Sequence, residues 1–131
     1  MLAAALLSAL AAAPPATAKE DVRAQLVSQL ALDARAGTTI TVTWRLYYKQ
    51  DGRRRPFGAS DLFVRLRSAT GARATKAYGD GRNGRYTARI KVPRGGMAGI
   101  RFGLDGIRMF PDGRQEPAPM YFPLDNDPFE P

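Results

Sequence analysis

The sequence predicts an all-β fold, an antiparallel β-sandwich, and three observations support this prediction. Five or six segments alternate apolar and polar residues with a period of two, which is typical of strands with one buried face. Turns rich in glycine and proline separate these segments, and no segment beyond residue 18 has a clear helical pattern. The strongest alternation, over residues 38–48, contains Trp44, the only tryptophan. We therefore expect this segment to be the central strand, with its tryptophan anchoring the core.

The first two strands are expected within residues 22–48. Residues 22–32 fit both a strand alternation and a helical spacing, and we interpret them as an edge strand because strands follow. Residues 33–37 are expected to turn the chain into the central strand. The side chains expected on the buried face of the central strand are those of Ile40, Val42, Trp44, Leu46 and Tyr48.

The middle of the chain is expected to hold a loop, a strong strand and a weak one. Residues 49–60 are predicted to be a loop with a tight turn at Asp51–Gly52. In the strand expected over 61–67, alternate residues face opposite ways: Leu62, Val64 and Leu66 inward, and Phe63, Arg65 and Arg67 outward. Residues 72–78 are expected to form a short edge strand, and residues 79–84 a glycine-rich turn.

The last third of the chain alternates clearly at first and then becomes irregular. Strands are expected over 85–92 and 99–104, where Gly103 indicates a bulge or a close backbone approach. Beyond Gly106 the sequence is rich in proline, and residues 120–124 could form one last strand against an edge, with an irregular segment as the alternative. We assign the sandwich domain to residues 19–124 and predict that residues 125–131 are a loose acidic tail.

Residues 1–18 have the pattern of a cleaved secretory signal peptide. An uncharged run of alanine and leucine ends at Pro14-Pro15, and Ala16-Thr17-Ala18 offers a small-x-small cleavage site. The apolar run is too short for a spanning helix, which needs roughly 20 residues. These 18 residues contain no lysine or arginine, so the usual basic start is missing or lies upstream. The alternatives are an uncleaved hydrophobic tail and a misplaced start codon. We predict an exported protein located outside the cell, in the cell wall or in the periplasm.

Apolar residues recur in spaced patterns over residues 37–104. The patterns are Gly37-x-x-Ile40-x-Val42-x-Trp44-x-Leu46, Leu62-x-Val64-x-Leu66, Gly84-x-Tyr86-x-Ala88-x-Ile90-x-Val92-Pro93, and Gly96 with Ile100-x-Phe102. Together they resemble small exported immunoglobulin-like domains, most closely the YtkA-like group and more loosely the copper-carrying CopC-like domains. The resemblance implies an immunoglobulin-like sandwich of about seven strands. It does not imply copper chemistry, since CopC-like domains bind metal largely through histidine and this chain has none. Gly84-x-Tyr86 is also similar to the tyrosine corner of such domains, with an ordinary core aromatic as the alternative.

The basic surface is the strongest positive candidate for a binding site. The formal net charge is +8, and most of the 20 basic residues are arginine. We expect one patch on the central strand and its neighbour, a basic run in the loop after the central strand, and a second patch around Phe63. The candidate anion contacts are Arg45, Arg53, Arg54, Arg55, Arg65, Arg67, Arg89, Lys91 and Arg101. Two alternatives remain open, namely a compositional bias and charges that keep strand surfaces soluble.

The residue types exclude several kinds of catalysis. The absence of histidine and cysteine removes Ser-His and Cys-His nucleophile pairs and standard zinc sites. Paired carboxylates could still support glycoside hydrolysis, with Asp105, Asp112 and Glu116 as candidates, but these lie in turns where acidic residues are common. We therefore predict that the protein is not an enzyme and has no cofactor.

Two further residue groups are weak candidates for metal binding. Thioether sulfur suits Cu(I), but the spacing of Met97, Met109 and Met120 is not a compact motif. Hard oxygen ligands for calcium occur in two groups, neither of which matches a calcium-loop pattern: Asp125, Asn126 and Asp127 with Glu130, and Asp80 with Asn83.

Three hypotheses for the function follow from the sequence. The first is a non-catalytic interaction or structural module at the cell envelope, with an envelope protein as its partner. The second is an electrostatic binder of an anionic envelope polymer or a membrane surface. The third, which the absence of histidine and cysteine disfavours, is a metal-handling domain. The sequence does not favour a small-molecule substrate or nucleic acid as a partner.

Overall fold

The structure is a computed structural model that describes residues 21–130, and it confirms that the fold is all-β with antiparallel sheets. The predicted signal peptide, 1–18, lies outside the described residues. Within residues 21–130 there are eleven strands and no helix. The strands are β1 Arg23–Leu26, β2 Thr39–Gln50, β3 Arg53–Pro56, β4 Leu62–Ser68, β5 Thr75–Tyr78, β6 Asp80–Arg82, β7 Arg85–Lys91, β8 Met97–Leu104, β9 Ile107–Met109, β10 Gln115–Pro117 and β11 Met120–Phe122.

The strands form two main sheets and one small ribbon. Sheet I has the order β1-β2-β7-β6, with β3 paired to β2, and sheet II has the order β11-β8-β4-β5. In the described part of the chain, β9 and β10 pair with each other alone. The Trp44 ring of sheet I stacks on the Phe102 ring of sheet II at 4.8 Å between centroids. The two sheets therefore pack face to face in a sandwich-like arrangement whose core lies between them.

The alternation in the sequence predicts the core in large part. On β2, Val42, Trp44 and Leu46 are buried as expected, whereas Ile40 and Tyr48 are half-buried and Tyr47, of the opposite parity, is buried. On β7, Tyr86, Ala88 and Ile90 are buried, while the residues between them are exposed. Phe63 lies on the opposite parity of β4 from the core residues, yet it is only 1% exposed. The edges of the Tyr78 and Tyr121 rings and the ammonium of Lys76 cover it on the outer face of sheet II.

The prediction of a loop over residues 49–60 is wrong. β2 continues to Gln50, and β3 folds back along it to form a hairpin. Asp51 and Gly52 have φ values of 53° and 76°, so the Asp-Gly pair makes the expected tight turn. The run Arg53–Arg55 is therefore held in a strand.

Two other segments that the sequence assigns to turns or irregular chain also contain strands. Residues 80–82, expected to lie in a turn, pair with β7, and only Asn83–Gly84 makes the turn. Residues 107–109 and 115–117, expected to be irregular, form the ribbon of β9 and β10. These short strands raise the number within residues 21–130 above the seven or so expected. Polar, exposed residues make up β6 and most of β10, which leaves no apolar alternation there, and β9 is only three residues long.

The chain passes from one sheet to the other at both sides of the sandwich. At Gly79 it leaves β5 of sheet II for β6 of sheet I, directly over the Trp44 indole, which leaves no room for a Cβ. On the other side, β11 pairs with β8 as predicted, and the chain then joins β1 of sheet I through a parallel bridge between Leu124 and Ala24. The second crossing covers the edge of β1, which would otherwise be free to pair with another chain.

The prediction that residues 125–131 are loose does not hold for Asp125 and Asn126. The Asn126 side chain accepts a hydrogen bond from the Leu26 amide and donates one to the Leu26 carbonyl, as a neighbouring strand would. Asp125 pairs with Arg23, with 2.5 Å between the guanidinium Nε and the carboxylate oxygen.

Candidate functional site

Three arginines line up across neighbouring strands on the outer face of sheet I. Arg45 on β2 is directly opposite Arg85 on β7, and Arg85 is directly opposite Arg82 on β6. Neighbouring strands lie about 4.8 Å apart, so the row spans roughly 10 Å. The tight turn at Asn83–Gly84, with φ values of 55° and 77°, connects β6 to β7 in this register. Three positive charges therefore lie side by side.

The β2–β3 hairpin, residues 47–56, adds two further arginines. The guanidinium carbon of Arg54 lies 4.2 Å from the centre of the Tyr47 ring, which is a cation–π contact. With the row described above, these residues line a cavity of about 500 Å³ on the surface. We call the five arginines of this cavity the arginine cleft: Arg45, Arg54, Arg55, Arg82 and Arg85.

Gly84 holds the two parts of the arginine cleft together. Its carbonyl accepts a hydrogen bond from the Leu46 amide, and the Leu46 carbonyl accepts one from Phe57, just beyond β3. A Cβ at Gly84 would lie 2.7 Å from the Leu46 oxygen and 2.9 Å from the Cβ of Pro56. Glycine therefore allows the end of β3 to abut the turn between β6 and β7.

The arginines of the cleft are exposed and lack acidic partners within residues 21–130. The four salt bridges of this range involve other basic residues, namely Arg23, Lys76, Arg108 and Arg114. Like charges that face each other directly across strands destabilise a sheet. The side-by-side arrangement of Arg45, Arg85 and Arg82 therefore lowers the stability of the free protein.

Tyr47 links the arginine cleft to the C-terminal segment. Its hydroxyl donates a hydrogen bond to Asp125, which also pairs with Arg23. The hydrogen bond to Asp125, together with burial, raises the pKa of Tyr47 above its ordinary value. Burial disfavours the charged form of Asp125, but the hydrogen bonds from Tyr47 and Arg23 outweigh it and lower the pKa of this carboxyl. The ring of Tyr47 is thus fixed beneath Arg54, and the nearby carboxylate is engaged elsewhere.

The structure brings together only some of the residues predicted from the sequence. Arg45, Arg54 and Arg55 belong to the arginine cleft, whereas Arg53 pairs with Gln50 at the end of the hairpin. Arg89 and Lys91 lie on the same face of sheet I but further along β7, opposite threonines of β2. They extend a basic face beyond the cleft.

Arg82 and Arg85 are site residues that were not predicted from the sequence. Arg85 has the outward parity of its strand, so its position could have been found from the alternation. The position of Arg82 could not be predicted in this way, because its pairing with Arg85 depends on a short strand in a segment with no apolar pattern.

The second predicted patch exists, but its basic side chains already contact protein groups. Arg65 lies opposite Arg101, and it donates a hydrogen bond to the Tyr121 hydroxyl at 3.0 Å. The guanidinium carbon of Arg101 lies 3.9 Å from the centre of the Tyr121 ring. Arg67 donates a hydrogen bond to the carbonyl of Ala98. These residues cover the outer face of sheet II, which includes the buried Phe63, and they form a less available site than the arginine cleft.

The weak candidates for catalysis and metal binding do not converge in the structure. Asp105 pairs with Lys76, Asp112 with Arg114 and Glu116 with Arg108. Within residues 21–130, no three or more acidic residues form a group suited to a metal ion.

The methionines and the calcium candidates are also dispersed or engaged. Met97 begins β8 and is buried, Met120 lies opposite the last residue of β8, and Met109 lies beyond it on β9. The Asp127 carboxylate accepts a hydrogen bond from the Phe129 amide, and Asn126 binds the backbone of Leu26.

Comparison of the chain with protein-family models, curated proteins and solved structures finds no match. Across residues 21–130, the structure contains no helix of the length and apolar character that crossing a membrane requires.

Proposed function

We propose that this chain is a non-catalytic, exported binding module that holds an anionic component of the cell envelope, one bearing several phosphate groups, in the arginine cleft. The observation that carries the proposal is the row of Arg45, Arg85 and Arg82 on three adjoining strands, without acidic partners within residues 21–130. A bound anion would relieve the repulsion within this row.

The geometry of the cleft suits a ligand with more than one anionic group. A guanidinium presents a planar fork of donors that matches the oxygens of a phosphate, and it stays charged at every physiological pH. The row spans roughly 10 Å, which is wider than a single phosphate, and Arg54 adds a further charge from the hairpin. A polymer with repeated phosphates and a surface of lipid head groups both offer this chemistry.

We also propose that the sandwich has the immunoglobulin-like strand order. The strand orders β1-β2-β7-β6 and β11-β8-β4-β5 correspond to the A-B-E-D and G-F-C-C′ sheets of immunoglobulin-like domains. This order supports an immunoglobulin-like sandwich and the resemblance to exported domains of the YtkA-like group. Trp44 lies on the second strand of this order and not on the third, where antibody domains carry their core tryptophan.

The Tyr86 hydroxyl makes a hydrogen bond similar to that of the tyrosine corner in immunoglobulin-like domains. It donates a hydrogen bond to the carbonyl of Phe57 at 2.8 Å and so ties down the segment that leads from β3 to β4. The contact joins residues far apart in the sequence, whereas the tyrosine corner of antibody domains is local. It is therefore an analogue of that feature in a different place.

The test of the function is binding of soluble polyphosphate, and of vesicles with phosphatidylglycerol, across a series of salt concentrations. The wild-type protein is expected to bind polyphosphate with an affinity that falls steeply with salt. The double variant R45Q/R85Q is expected to reduce the slope of log affinity against log salt by about two. The control R73Q/R94Q removes the same charge from exposed arginines outside the cleft.

Three results would contradict this proposal. They are equal losses in the two double variants, absence of polyphosphate and vesicle binding, and salt-insensitive capture of one envelope protein. The last result would favour the first hypothesis from the sequence, an interaction module for a protein partner. Binding of vesicles without polyphosphate would restrict the phosphate source to lipid.

A further inference from the structure

The ribbon of β9 and β10 projects from the sandwich as an apolar arm. Gly106 and Ala118 continue the pairing of β8 with β11 through a backbone hydrogen bond, and β9 and β10 prolong it. Strands rise about 3.3 Å per residue, so the arm reaches roughly 13 Å from Gly106 to Phe110. We call residues 106–118 the β9–β10 arm.

The arm exposes apolar side chains on one of its faces. Ile107 and Met109 are 65% and 62% exposed, more than any other large apolar residue in the described chain. They are two residues apart on one strand and therefore lie on the same face. A two-stranded ribbon is marginally stable in water by itself, and contiguous exposed apolar surface marks an interaction site.

The charges of the arm are balanced. Arg108 pairs with Glu116 across the ribbon at 3.6 Å, and Arg114 pairs with Asp112 at the tip. The guanidinium carbon of Arg114 also lies 4.2 Å from the centre of the Phe110 ring. The arm therefore has an apolar face without net charge, which an anionic surface does not repel.

The arm and the arginine cleft lie at the same end of the sandwich. β2 leads to its hairpin and β7 begins at this end, so Arg54 and Arg85 lie here. β8 ends at Leu104, opposite the first residue of β4, and the arm follows. Trp44 of β2 stacks on Phe102 of β8, so the two strands lie at the same height in the sandwich. From this contact, β2 continues towards its hairpin and β8 continues towards the arm. Basic residues of sheet I and apolar residues beyond sheet II thus occupy one end of the molecule.

We propose that this end docks on an anionic lipid bilayer, with Ile107 and Met109 inserted among the lipids and the arginine cleft on their phosphates. This inference rests on the proposed function and names its partner. Charge complementarity selects the lipid surface: the cleft binds its phosphates, and the neutral apolar arm enters its interface, a combination that a soluble polymer cannot use.

The test compares variants of the protein comprising residues 19–131, which contains the whole core, in co-sedimentation with phosphatidylglycerol vesicles. I107S/M109S is expected to weaken vesicle binding by about tenfold or more, because it removes the apolar burial. Its binding of soluble polyphosphate is expected to equal that of the wild type, which also shows that it is folded. The control V27S/L32S removes two exposed apolar residues outside the arm and is expected to bind vesicles normally.

Three outcomes overturn the inference: no vesicle binding by the wild type, normal vesicle binding by I107S/M109S, or an equal loss in V27S/L32S. In each of these cases, retained polyphosphate binding that depends on Arg45 and Arg85 leaves the proposed function intact. Absence of binding to both polyphosphate and vesicles in the wild type removes the anion-binding proposal itself.

Discussion

Arg45 and Arg85 face each other directly across β2 and β7, at the end of this pairing that lies beside the turn between β6 and β7. The neighbouring pair of this register, Trp44 and Tyr86, is buried and fixes the register through the core. The strands cannot slip to separate the charges, because a shift by one residue would expose the core residues. The fold thus maintains a like-charge pair at the price of some stability.

Replacement of Arg85 with glutamine is expected to stabilise the free protein while it weakens anion binding. Removal of one charge from the row relieves cross-strand repulsion, which is typically about 0.2–1 kcal/mol per pair. Thermal or urea unfolding in low salt measures this gain, and salt or polyphosphate should reduce the difference from the wild type. The matched control is Arg89→Gln, since Arg89 lies opposite Thr41 and has no such neighbour on β2. Equal stabilisation by both variants would assign the effect to net charge.

Replacement of Tyr86 with phenylalanine is expected to destabilise the fold by about 1–3 kcal/mol, because it leaves a buried acceptor without its donor. The Tyr86 hydroxyl donates to the Phe57 carbonyl, and burial raises the pKa of this tyrosine. Urea denaturation gives the free energy of unfolding. Tyr48→Phe is the control, since the Tyr48 hydroxyl makes no side-chain hydrogen bond within residues 21–130. An equal loss of stability in Tyr48→Phe would show that the hydrogen bond from Tyr86 to Phe57 is not the cause of the effect.

Replacement of Gly79 with alanine is expected to cost about 1–3 kcal/mol through overpacking. The added methyl would overlap the Trp44 indole where the chain passes from sheet II to sheet I. Trp44 is the only tryptophan, so its fluorescence during unfolding reports on this contact directly. Gly58→Ala is the control, since its methyl would meet only the Tyr86 hydroxyl, at an ordinary 3.4 Å. Unchanged stability and unchanged fluorescence in Gly79→Ala would contradict the close approach.

The sequence predicts the long strands well because their alternation records burial on one face. β7 is the clearest case, with Tyr86, Ala88 and Ile90 buried as expected. The close approach expected at Gly103 is also found, since a Cβ there would lie 2.8 Å from the Phe63 ring. The alternation does not predict contacts with other strands, such as those that bury Phe63 on the outer face of sheet II.

The site is less predictable than the fold because it depends on which strands become neighbours. Arg45, Arg54 and Arg55 could be proposed from outward parity and a basic run. Their meeting with Arg82 and Arg85 requires the pairing of β2, β7 and β6, and a hairpin in place of a loop. Exposed polar strands carry almost no periodic pattern, so the sequence did not reveal this assembly.

Replacement of Asp125 with asparagine is expected to change the pH dependence of stability. Because the pKa of Asp125 is lowered on folding, its stabilisation is present above its ordinary value of 3.8 and is lost as the pH falls through the lower folded value. The pKa of Tyr47 is raised, so the corresponding stabilisation is present below about pH 10 and is lost as the pH rises through the folded value.

The variant Asp125→Asn is therefore expected to be less stable than the wild type by up to about 1 kcal/mol near neutral pH, since the pair with Arg23 is partly exposed. The difference should shrink as the pH falls below 3.8, and Tyr47 should titrate closer to its ordinary pKa. Urea unfolding at about pH 7 and about pH 3, with tyrosine absorbance at alkaline pH, measures both effects.

Asp105 contributes in the same acidic range in both proteins, because hydrogen bonds from Lys76 and Tyr78 lower its pKa as well. Asp33→Asn provides a control at an exposed carboxylate outside the salt bridges of residues 21–130, and a pH profile of Asp125→Asn that matches this control would refute the role of Asp125.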